Sequence, residues 1–340
     1  MIEAEVIMPA KKTIAIVGAT GNQGGSVASI FSKLPGWHVR GLTRDPSKPA
    51  YAHLKEQGIE LVRAELDDVD SLKKAFAGAT VIFGTTDFWQ HMSSPSAQSE
   101  AAARGITTNE VAYEREIQQG KNIVDAAAAT VESLERFVMC TLNESKKWSK
   151  GKIDFNLHFD SKWKAVEYCK STYPNLWAKT SKLQLGYFIT NWKSGLALPT
   201  KQADGTYKLA MPMGGENKVP MVDPNADTGR FVHALLSLPP DTNLLGCGSK
   251  LSWSEYAAIW GRINNVTVTF ESYPGFVMEE NMGTLGREYA AMFQYMDEFG
   301  YDGGDPSVVY PWEAKEKYGV EIQYTTAEEY LKGVDWKSVL

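Results

Sequence analysis

The first half of the chain alternates short runs of consecutive apolar residues with longer stretches in which apolar residues recur every three or four positions. The short runs are typical of buried strands in a parallel sheet, and the longer spacing is typical of helices with one buried face. The pattern predicts strands at 12–17, 37–43, 60–62, 80–84, 136–140 and 176–179. It predicts helices at 22–34, 50–58, 71–76, 113–130 and 160–171. Because strands and helices alternate, we expect parallel βαβ units with right-handed crossovers.

Two parts of the chain depart from this alternation. Residues 86–112 are polar, rich in Ser and Ala, and predict a long loop of the kind that is usually functional or mobile. Beyond residue 182 the predicted elements are irregular, with helices near 224–238, 252–264, 285–298 and 326–333 and strands near 207–211 and 266–271. The predicted fold class is α/β, a doubly wound parallel Rossmann sheet with a smaller mixed α/β C-terminal domain. We expect the two domains to span residues 1–182 and 183–340 and to be partly interwoven.

A glycine-rich turn lies between the first predicted strand and the first predicted helix, and its residues fit the spacing GxxGxxG. In such a turn the glycines permit a sharp exit from the strand, close approach of backbone to a pyrophosphate, and tight packing of the helix on the sheet. The strand–turn–helix context favours this function over a merely flexible turn. The predicted dinucleotide contacts here are Gly18, Thr20, Gly21, Asn22, Gln23 and Gly24.

The residue that follows the second strand indicates which dinucleotide is bound. Proteins that bind NAD usually carry an acidic residue about 20 positions after the glycine motif, and here that position holds Arg44. A guanidinium can grip the 2′-phosphate of NADP, and Thr43 and Lys48 can assist it. Asp45 is one residue later and is either a competing ribose ligand or the start of the next turn. The sequence therefore favours NADP(H) over NAD(H).

The ends of the third and fourth strands supply further candidates, because ligands of such sheets bind beyond the carboxyl ends of the strands. Asp67 is expected either to accept a hydrogen bond from the adenine amino group or, with Asp68, to form an acidic pair at a helix N-terminus. Thr85, Thr86 and Phe88 follow the fourth strand and are expected to line the dinucleotide or the space beside its nicotinamide.

The candidate catalytic residues are sought where ordinary short-chain dehydrogenases carry Tyr-x-x-x-Lys, on the helix after the fifth strand. At that place His158 occupies the tyrosine position and Lys162 the lysine position. Lys162 is expected to bond the nicotinamide ribose, the alternative being a solvated helix lysine. His158 is either a proton donor or a core histidine, and the second interpretation is favoured. Tyr187 is the substitute proton donor to test first. No motif with metal-ligand spacing is present.

Composition and charge narrow the class of partner. The 340 residues carry 35 Lys and Arg against 41 Asp and Glu, a net charge of −6, which argues against binding nucleic acid or an anionic membrane directly. Three scattered cysteines do not predict a disulfide framework. The acidic first residues do not resemble a signal peptide. We therefore expect the cytoplasm, and the nucleus in addition, as the protein's location.

Several ordered motifs together resemble the NmrA-like family of atypical short-chain dehydrogenases/reductases over about residues 12–240. They are Gly18–Gly24, Thr43–Pro46, Glu65–Asp68, His158–Lys162, Leu185–Asn191, Met211–Gly214 and Val219–Val222. The resemblance implies a Rossmann domain, a smaller C-terminal domain with a cleft between them, and binding of NADP(H) or NAD(P). It also implies one of two activities, because some members resemble redox sensors that act through protein partners and others resemble true reductases.

Two functions are therefore compared. The first is a redox-sensing regulator of transcription that responds to NADP(H) and acts through a protein partner; it is favoured because no tyrosine proton donor follows the fifth strand. The second is an NADPH-dependent reductase of a small apolar or aromatic carbonyl compound or enone, supported by Lys162 and His158. For the second function, Phe88, Trp89, Tyr187 and Trp192 either form the wall of a substrate pocket or belong to the core.

Overall fold

The computed structural model describes residues 11–340, so the prediction about the first residues lies outside the described part. In that part the strands are β1 (Lys12–Ile16), β2 (Trp37–Thr43), β3 (Glu60–Arg63), β4 (Val81–Gly84), β5 (Arg136–Thr141), β6 (Thr180–Leu185), β7 (Tyr187–Phe188), β8 (Thr200–Lys201), β9 (Tyr207–Met211), β10 (Val219–Val222), β11 (Asn243–Gly246), β12 (Ser249–Leu251), β13 (Val268–Ser272) and β14 (Val308–Val309). The first five agree with the apolar runs to within one or two residues.

Eight of these strands form one sheet in the order β14-β11-β6-β5-β4-β1-β2-β3, and every neighbouring pair is parallel. The order reverses between β1 and β4, which lie side by side although two strands separate them in the chain. Such a reversal opens a crevice at the carboxyl ends of the strands. Together with the two small sheets described below, this arrangement confirms the predicted fold class.

The helices are α1 (Asn22–Phe31), α2 (Ala52–Glu56), α3 (Val69–Phe76), α4 (Trp89–Met92), α5 (Pro95–Arg104), α6 (Thr108–Ala128), α7 (Ser145–Trp148), α8 (Leu157–Thr172), α9 (Pro174–Trp177), α10 (Pro224–Leu235), α11 (Trp253–Asn264), α12 (Phe276–Met282), α13 (Thr284–Phe299), α14 (Ala314–Tyr318) and α15 (Ala327–Lys332). Short 3₁₀ turns cover Pro49–Tyr51, Ile189–Ser194 and Pro311–Glu313. Among the described residues no helix is both long and apolar enough to cross a bilayer.

Two sequence predictions are wrong. The segment 86–112 is largely helical, forming α4, α5 and the beginning of α6, and not a long loop. Its alanines favour helix, and a capping box in which the Thr107 hydroxyl bonds the N–H of Glu110 starts α6. The strand predicted at 176–179 is also misplaced: Pro174 starts a short helix there, and the strand follows at Thr180–Leu185.

The C-terminal half contributes both to the large sheet and to two small mixed sheets. Strands β11 and β14 extend the parallel sheet, while β12-β10-β7 and β13-β9-β8 form three-stranded sheets of mixed direction. Around them lies an aromatic core whose largest fully buried rings include Trp253, Trp260, Tyr207, Tyr256 and Tyr295. The helix α13 of this half packs against α6 of the first half.

Candidate functional site

The glycine-rich turn forms the floor of the crevice beside β1. Gly18 adopts a φ of +68°, a conformation in which a residue with a side chain is strained. At Gly24 an added Cβ would lie 2.3 Å from the carbonyl oxygen of Gly18, so only glycine fits this position. Gly21 precedes α1 and offers no side chain to cap it. The turn therefore leaves a cradle of bare backbone in front of a helix whose first N–H groups have no capping side chain.

The flanking residues of the turn are accessible. Thr20 and Asn22 are exposed, and Gln23 is half-buried. The Gln23 side-chain oxygen accepts hydrogen bonds from the thiol of Cys140, at 2.9 Å, and from the hydroxyl of Thr85, at 3.4 Å. It therefore links the ends of β4 and β5 across the crevice, which the sequence did not predict.

The residues after β2 include two exposed cations. Arg44 and Lys48 are exposed, and neither forms an ion pair with any residue in the range 11–340. Thr43 is buried, and its hydroxyl accepts a hydrogen bond from the backbone N–H of Asp45. Asp45 in turn accepts hydrogen bonds from the backbone N–H and hydroxyl of Ser47, which hold the pKa of its carboxyl below the usual range. Asp45 thus organises the turn, and the two cations remain available.

The two aspartates after β3 have different surroundings. Asp68 caps α3 by accepting hydrogen bonds from the N–H groups of Asp70 and Ser71. Asp67 is exposed, and its carboxylate accepts a hydrogen bond of 3.0 Å from the side-chain amide of Gln119 on α6. Only Asp68 therefore acts as a helix cap, whereas Asp67 is joined to α6.

Lys162 forms the centre of a polar cluster at the carboxyl ends of β4 and β5. Its ammonium donates to the carbonyl and hydroxyl oxygens of Thr86, at 3.2 and 3.3 Å, and forms an ion pair with Glu116. Glu116 also accepts hydrogen bonds from the hydroxyls of Thr86 and Ser161. The Glu116 side chain is fully buried, whereas that of Lys162 keeps 13% of its surface exposed. A small pocket between these groups is also lined by Cys140, whose pKa is raised to about 11 by burial.

Close packing of two helices aligns this cluster. Gly120 on α6 lies against Ala165 on α8, and a Cβ added at Gly120 would approach the Ala165 Cβ to 2.7 Å. One turn earlier on both helices stand Glu116 and Ser161, which therefore face each other. Glu116 was not predicted from the sequence. The available signal is its place in helical register with Ala112, Gly120 and Ile123, a carboxylate on an otherwise apolar helix face.

His158 lies on the same helix but belongs to a different environment. Helix α8 begins at Leu157, so His158 and Lys162 are one turn apart. The Glu288 carboxylate accepts hydrogen bonds from Nδ1 of His158, at 2.7 Å, and from its backbone N–H, at 2.9 Å. The amide of Asn109 donates to the other oxygen of Glu288. The imidazole is also enclosed by aromatic rings, those of Phe88, Trp89 and Phe159. This is the geometry of a core histidine.

Two of the remaining aromatic candidates, Tyr187 and Trp192, belong to the aromatic core of the C-terminal half, where each has its own ring partner. Tyr187 is 5% exposed and packs edge-on against Trp253, and burial raises the pKa of its hydroxyl. Trp192 packs on Trp336 near the end of the chain, with 4.5 Å between ring centroids. Phe88 is fully buried beside His158. The sequence could not show these contacts, because the partners of these rings come from distant segments.

Comparison with known proteins places this geometry in context. A model of the NmrA-like family matches residues 10–331. The NmrA-like family domain-containing oxidoreductase ptmS of Penicillium ochrochloron is 25% identical over 324 residues, which cover 88% of this chain and 89% of that protein. These matches extend through the aromatic C-terminal region as well as the glycine-rich half.

Solved structures show the same fold. NmrA, a negative transcriptional regulator solved in complex with NADP, superposes with a TM-score of 0.67 at 18% identity, covering 95% of each chain, and it has also been solved with NAD. The complex of leucoanthocyanidin reductase with NADPH from Vitis vinifera has a TM-score of 0.67 at 14% identity, covering 94% of this chain and 98% of that one. The family match extends over nearly the whole chain and agrees with the ordered sequence motifs and with the crevice. This protein therefore belongs to the NmrA-like family.

Proposed function

We propose that the protein binds NADP(H) in the crevice and acts as an NADPH-dependent oxidoreductase on a small apolar or aromatic carbonyl compound or enone. The observation that carries the proposal is the position of Lys162, a partly exposed cation at the carboxyl ends of β4 and β5. Its carboxylate partner, Glu116, is fully buried. A relative aligned over most of both chains is an NmrA-like oxidoreductase, which supports the enzymatic alternative.

The residues in the crevice fit the dinucleotide. Gly18, Gly21 and Gly24, with Thr20, Asn22 and Gln23, would hold the pyrophosphate against the start of α1. The free guanidinium of Arg44, supported by Thr43 and Lys48, would bind a 2′-phosphate, which favours NADP(H). Asp67 would meet the adenine, and Thr85, Thr86 and Lys162 would meet the nicotinamide ribose. Phe88 is fully buried, so it would support the contacting residues from the protein interior.

Lys162 supplies the polar chemistry of the proposed reaction. When bound, the dinucleotide supplies a hydride. The ammonium of Lys162 would orient the reacting oxygen and stabilise the negative charge that develops on it, and a proton from solvent would complete the reduced product. His158 and Tyr187 remain candidate proton donors only if their enclosing contacts open, because Glu288 occupies Nδ1 of the histidine and Trp253 covers the tyrosine. The proposal therefore rests on Lys162 and not on either of them.

NADPH oxidation measured over a panel of aromatic ketones, quinones and enals tests this proposal. We expect turnover of at least one compound and a fall of about 100-fold or more with Lys162→Ala, the usual size of the effect when one stabilising group is removed. Lys164→Ala is the matched control, because Lys164 lies on the same helix and pairs with Glu144 and Glu167 away from the pocket. Equal losses in the two variants would refute the role of Lys162.

A redox-sensing regulator is the second candidate. Its support is the enclosure of both His158 and Tyr187, the two proton donors that the sequence suggested. The fold shared with NmrA is compatible with it. In that case the panel would show no turnover although NADPH binds, and a protein partner would be retained in a cofactor-dependent manner. Those two results together would decide for the regulator.

A further inference from the structure

We infer that Glu116 sets the preference of this site between the oxidised and reduced dinucleotide by cancelling the charge of Lys162. The inference deepens the proposed function and rests on it, because it takes the Lys162 cluster as the nicotinamide end of the crevice. It assigns a role to a buried carboxylate that does not touch the reacting atoms. Glu116 is therefore a specificity-determining residue that acts through its lysine partner.

The first step of the argument is the geometry of the carboxylate. Glu116 has no exposed side-chain surface and receives hydrogen bonds on both oxygens, from Lys162 and Thr86 on one and from Ser161 on the other. Burying a carboxylate is costly unless it is paired and hydrogen-bonded in this way. A helix that needed only packing at this position would place an apolar residue there. The charge of Glu116 therefore acts on Lys162, its only ionic partner in the described chain.

The second step concerns the other charges at the pocket. Among the described residues that line it, only Glu116, Lys162 and Cys140 can ionise. Burial raises the pKa of Cys140 to about 11, so its thiol is neutral at physiological pH. The ion pair has no net charge. The pocket therefore combines an ammonium that can donate hydrogen bonds with a local net charge of zero.

The third step is the difference between the two forms of the ligand. The oxidised nicotinamide ring carries one positive charge and the reduced ring carries none. A lone ammonium in a poorly solvated pocket would repel the oxidised ring, whereas the neutral pair does not. Removing the carboxylate should shift binding toward the reduced form, and removing the ammonium should shift it toward the oxidised form. The opposite signs distinguish this electrostatic effect from a general loss of structure.

Calorimetric titration with NADP⁺ and NADPH tests the inference without requiring turnover. We expect Glu116→Gln, which keeps the shape and an accepting oxygen, to raise the ratio of the NADP⁺ Kd to the NADPH Kd on the order of tenfold. Lys162→Met should lower that ratio. The double variant should return it to within about twofold of the wild-type ratio. If Lys162→Met does not fold because Glu116 is left unpaired, Glu116→Gln and the double variant still decide the question.

Glu144→Gln is the matched control, because it removes a carboxylate from Lys164 on the same helix but outside the pocket. Its ratio should equal that of the wild type. An unchanged ratio in Glu116→Gln, or a double variant that keeps the shift of the single one, would overturn the inference while leaving dinucleotide binding intact. A wild-type protein that binds neither form would instead remove the proposed function and the inference with it.

Discussion

Two regions that border helix α8 contain the same chemical unit in different settings. In each, a fully buried carboxylate accepts hydrogen bonds from a basic side chain of the helix: Glu116 from Lys162, and Glu288 from His158. Lys162 stands at the ends of the sheet strands, contacts Thr86 and keeps part of its surface free. His158, one turn earlier, is closed in by aromatic rings. The two pairs therefore differ in whether the ends of the sheet strands lie beside them.

The comparison supports the interpretation of His158, which stands in the tyrosine position, as a core histidine. Glu288 belongs to α13, in the C-terminal half, and its bonds to the start of α8 join the two halves of the chain. Glu116 belongs to α6, in the first half, and its bonds orient a side chain toward the crevice. We expect loss of the first carboxylate to affect stability and loss of the second to affect ligand selection.

The largest expected effect is that of Glu288→Ala on stability. Removing this carboxylate leaves the N–H groups of His158 and the amide of Asn109 buried without their acceptor. We expect the free energy of unfolding to fall by about 3–5 kcal/mol, measured by urea denaturation, while the NADPH Kd of the folded protein changes less than about twofold. Glu280→Ala, at an exposed position of α12, should change neither quantity. Weaker NADPH binding with unchanged stability would contradict the distinction between the two regions.

The next effect is that of Gly24→Ala on dinucleotide binding. The added Cβ would lie 2.3 Å from the carbonyl oxygen of Gly18, so the turn must move. We expect the NADPH Kd, measured by calorimetry, to rise about 100-fold, because a displacement of about 1 Å at such a site has effects of that size.

Gly25→Ala provides the control for this turn. An added Cβ at Gly25 would meet the carbonyl oxygen of Ala19 at 3.6 Å, which is ordinary contact, and alanine favours helix more than glycine does. NADPH binding should therefore be preserved. If the two substitutions weaken NADPH equally, the close approach at Gly24 is not what shapes the cradle.

A smaller effect is expected for Asp160→Asn. Asp160 lies on α8 between His158 and Lys162. Burial raises the pKa of Asp160 to about 6, so the folded protein favours the protonated form more than the unfolded chain does. This contribution to stability is present below about pH 4 and is lost as the pH rises through 6. Asn keeps the oxygen that accepts from Ser145 and Lys146. We expect a gain of about 2 kcal/mol at pH 7.5 in urea denaturation, fading toward pH 4.

The control for that measurement is Asp154→Asn, an exposed residue of the segment that precedes α8. Because its side chain is exposed, we expect its stability at pH 7.5 to differ from that of the wild type by much less than that of Asp160→Asn. A difference between Asp160→Asn and the wild type that stays constant from pH 4 to pH 7.5 would show that Asp160 does not titrate differently in the folded and unfolded states.

The smallest expected effect is that of Arg44→Ala on the choice of dinucleotide. Losing the charged hydrogen bonds to a 2′-phosphate should weaken NADPH by about tenfold, or 1.4 kcal/mol, and NADH by less than about twofold. Parallel titrations of both cofactors measure this difference. Arg262→Ala, at an exposed arginine of α11 in the C-terminal half, should leave both affinities unchanged. Tighter binding of NADH than NADPH to the wild type would remove the NADP(H) assignment.

Local patterns predicted the regular part of the fold because they reflect local causes. The run at β1 ends in apolar residues since its last three positions are buried within the sheet, and β2 lies at Trp37–Thr43 as predicted. The segment 86–112 was misread because α5 is a polar surface helix whose alanines carry little apolar periodicity. Residues 176–179 were misread because Pro174 starts a helix where a strand was expected.

The sequence by itself determined the alternation of strands and helices, the glycine-rich turn and the family. It also determined that Arg44 stands where proteins that bind NAD carry an acidic residue. Each of these depends on neighbouring residues or on ordered motifs. Only the tertiary structure decided that Lys162 faces the crevice while His158 is sealed. That outcome depends on two carboxylates 46 and 130 residues away, on α6 and α13. Which of them meets which base is set by how those helices pack on α8, as at Gly120 and Ala165, and helix packing is not visible in local periodicity.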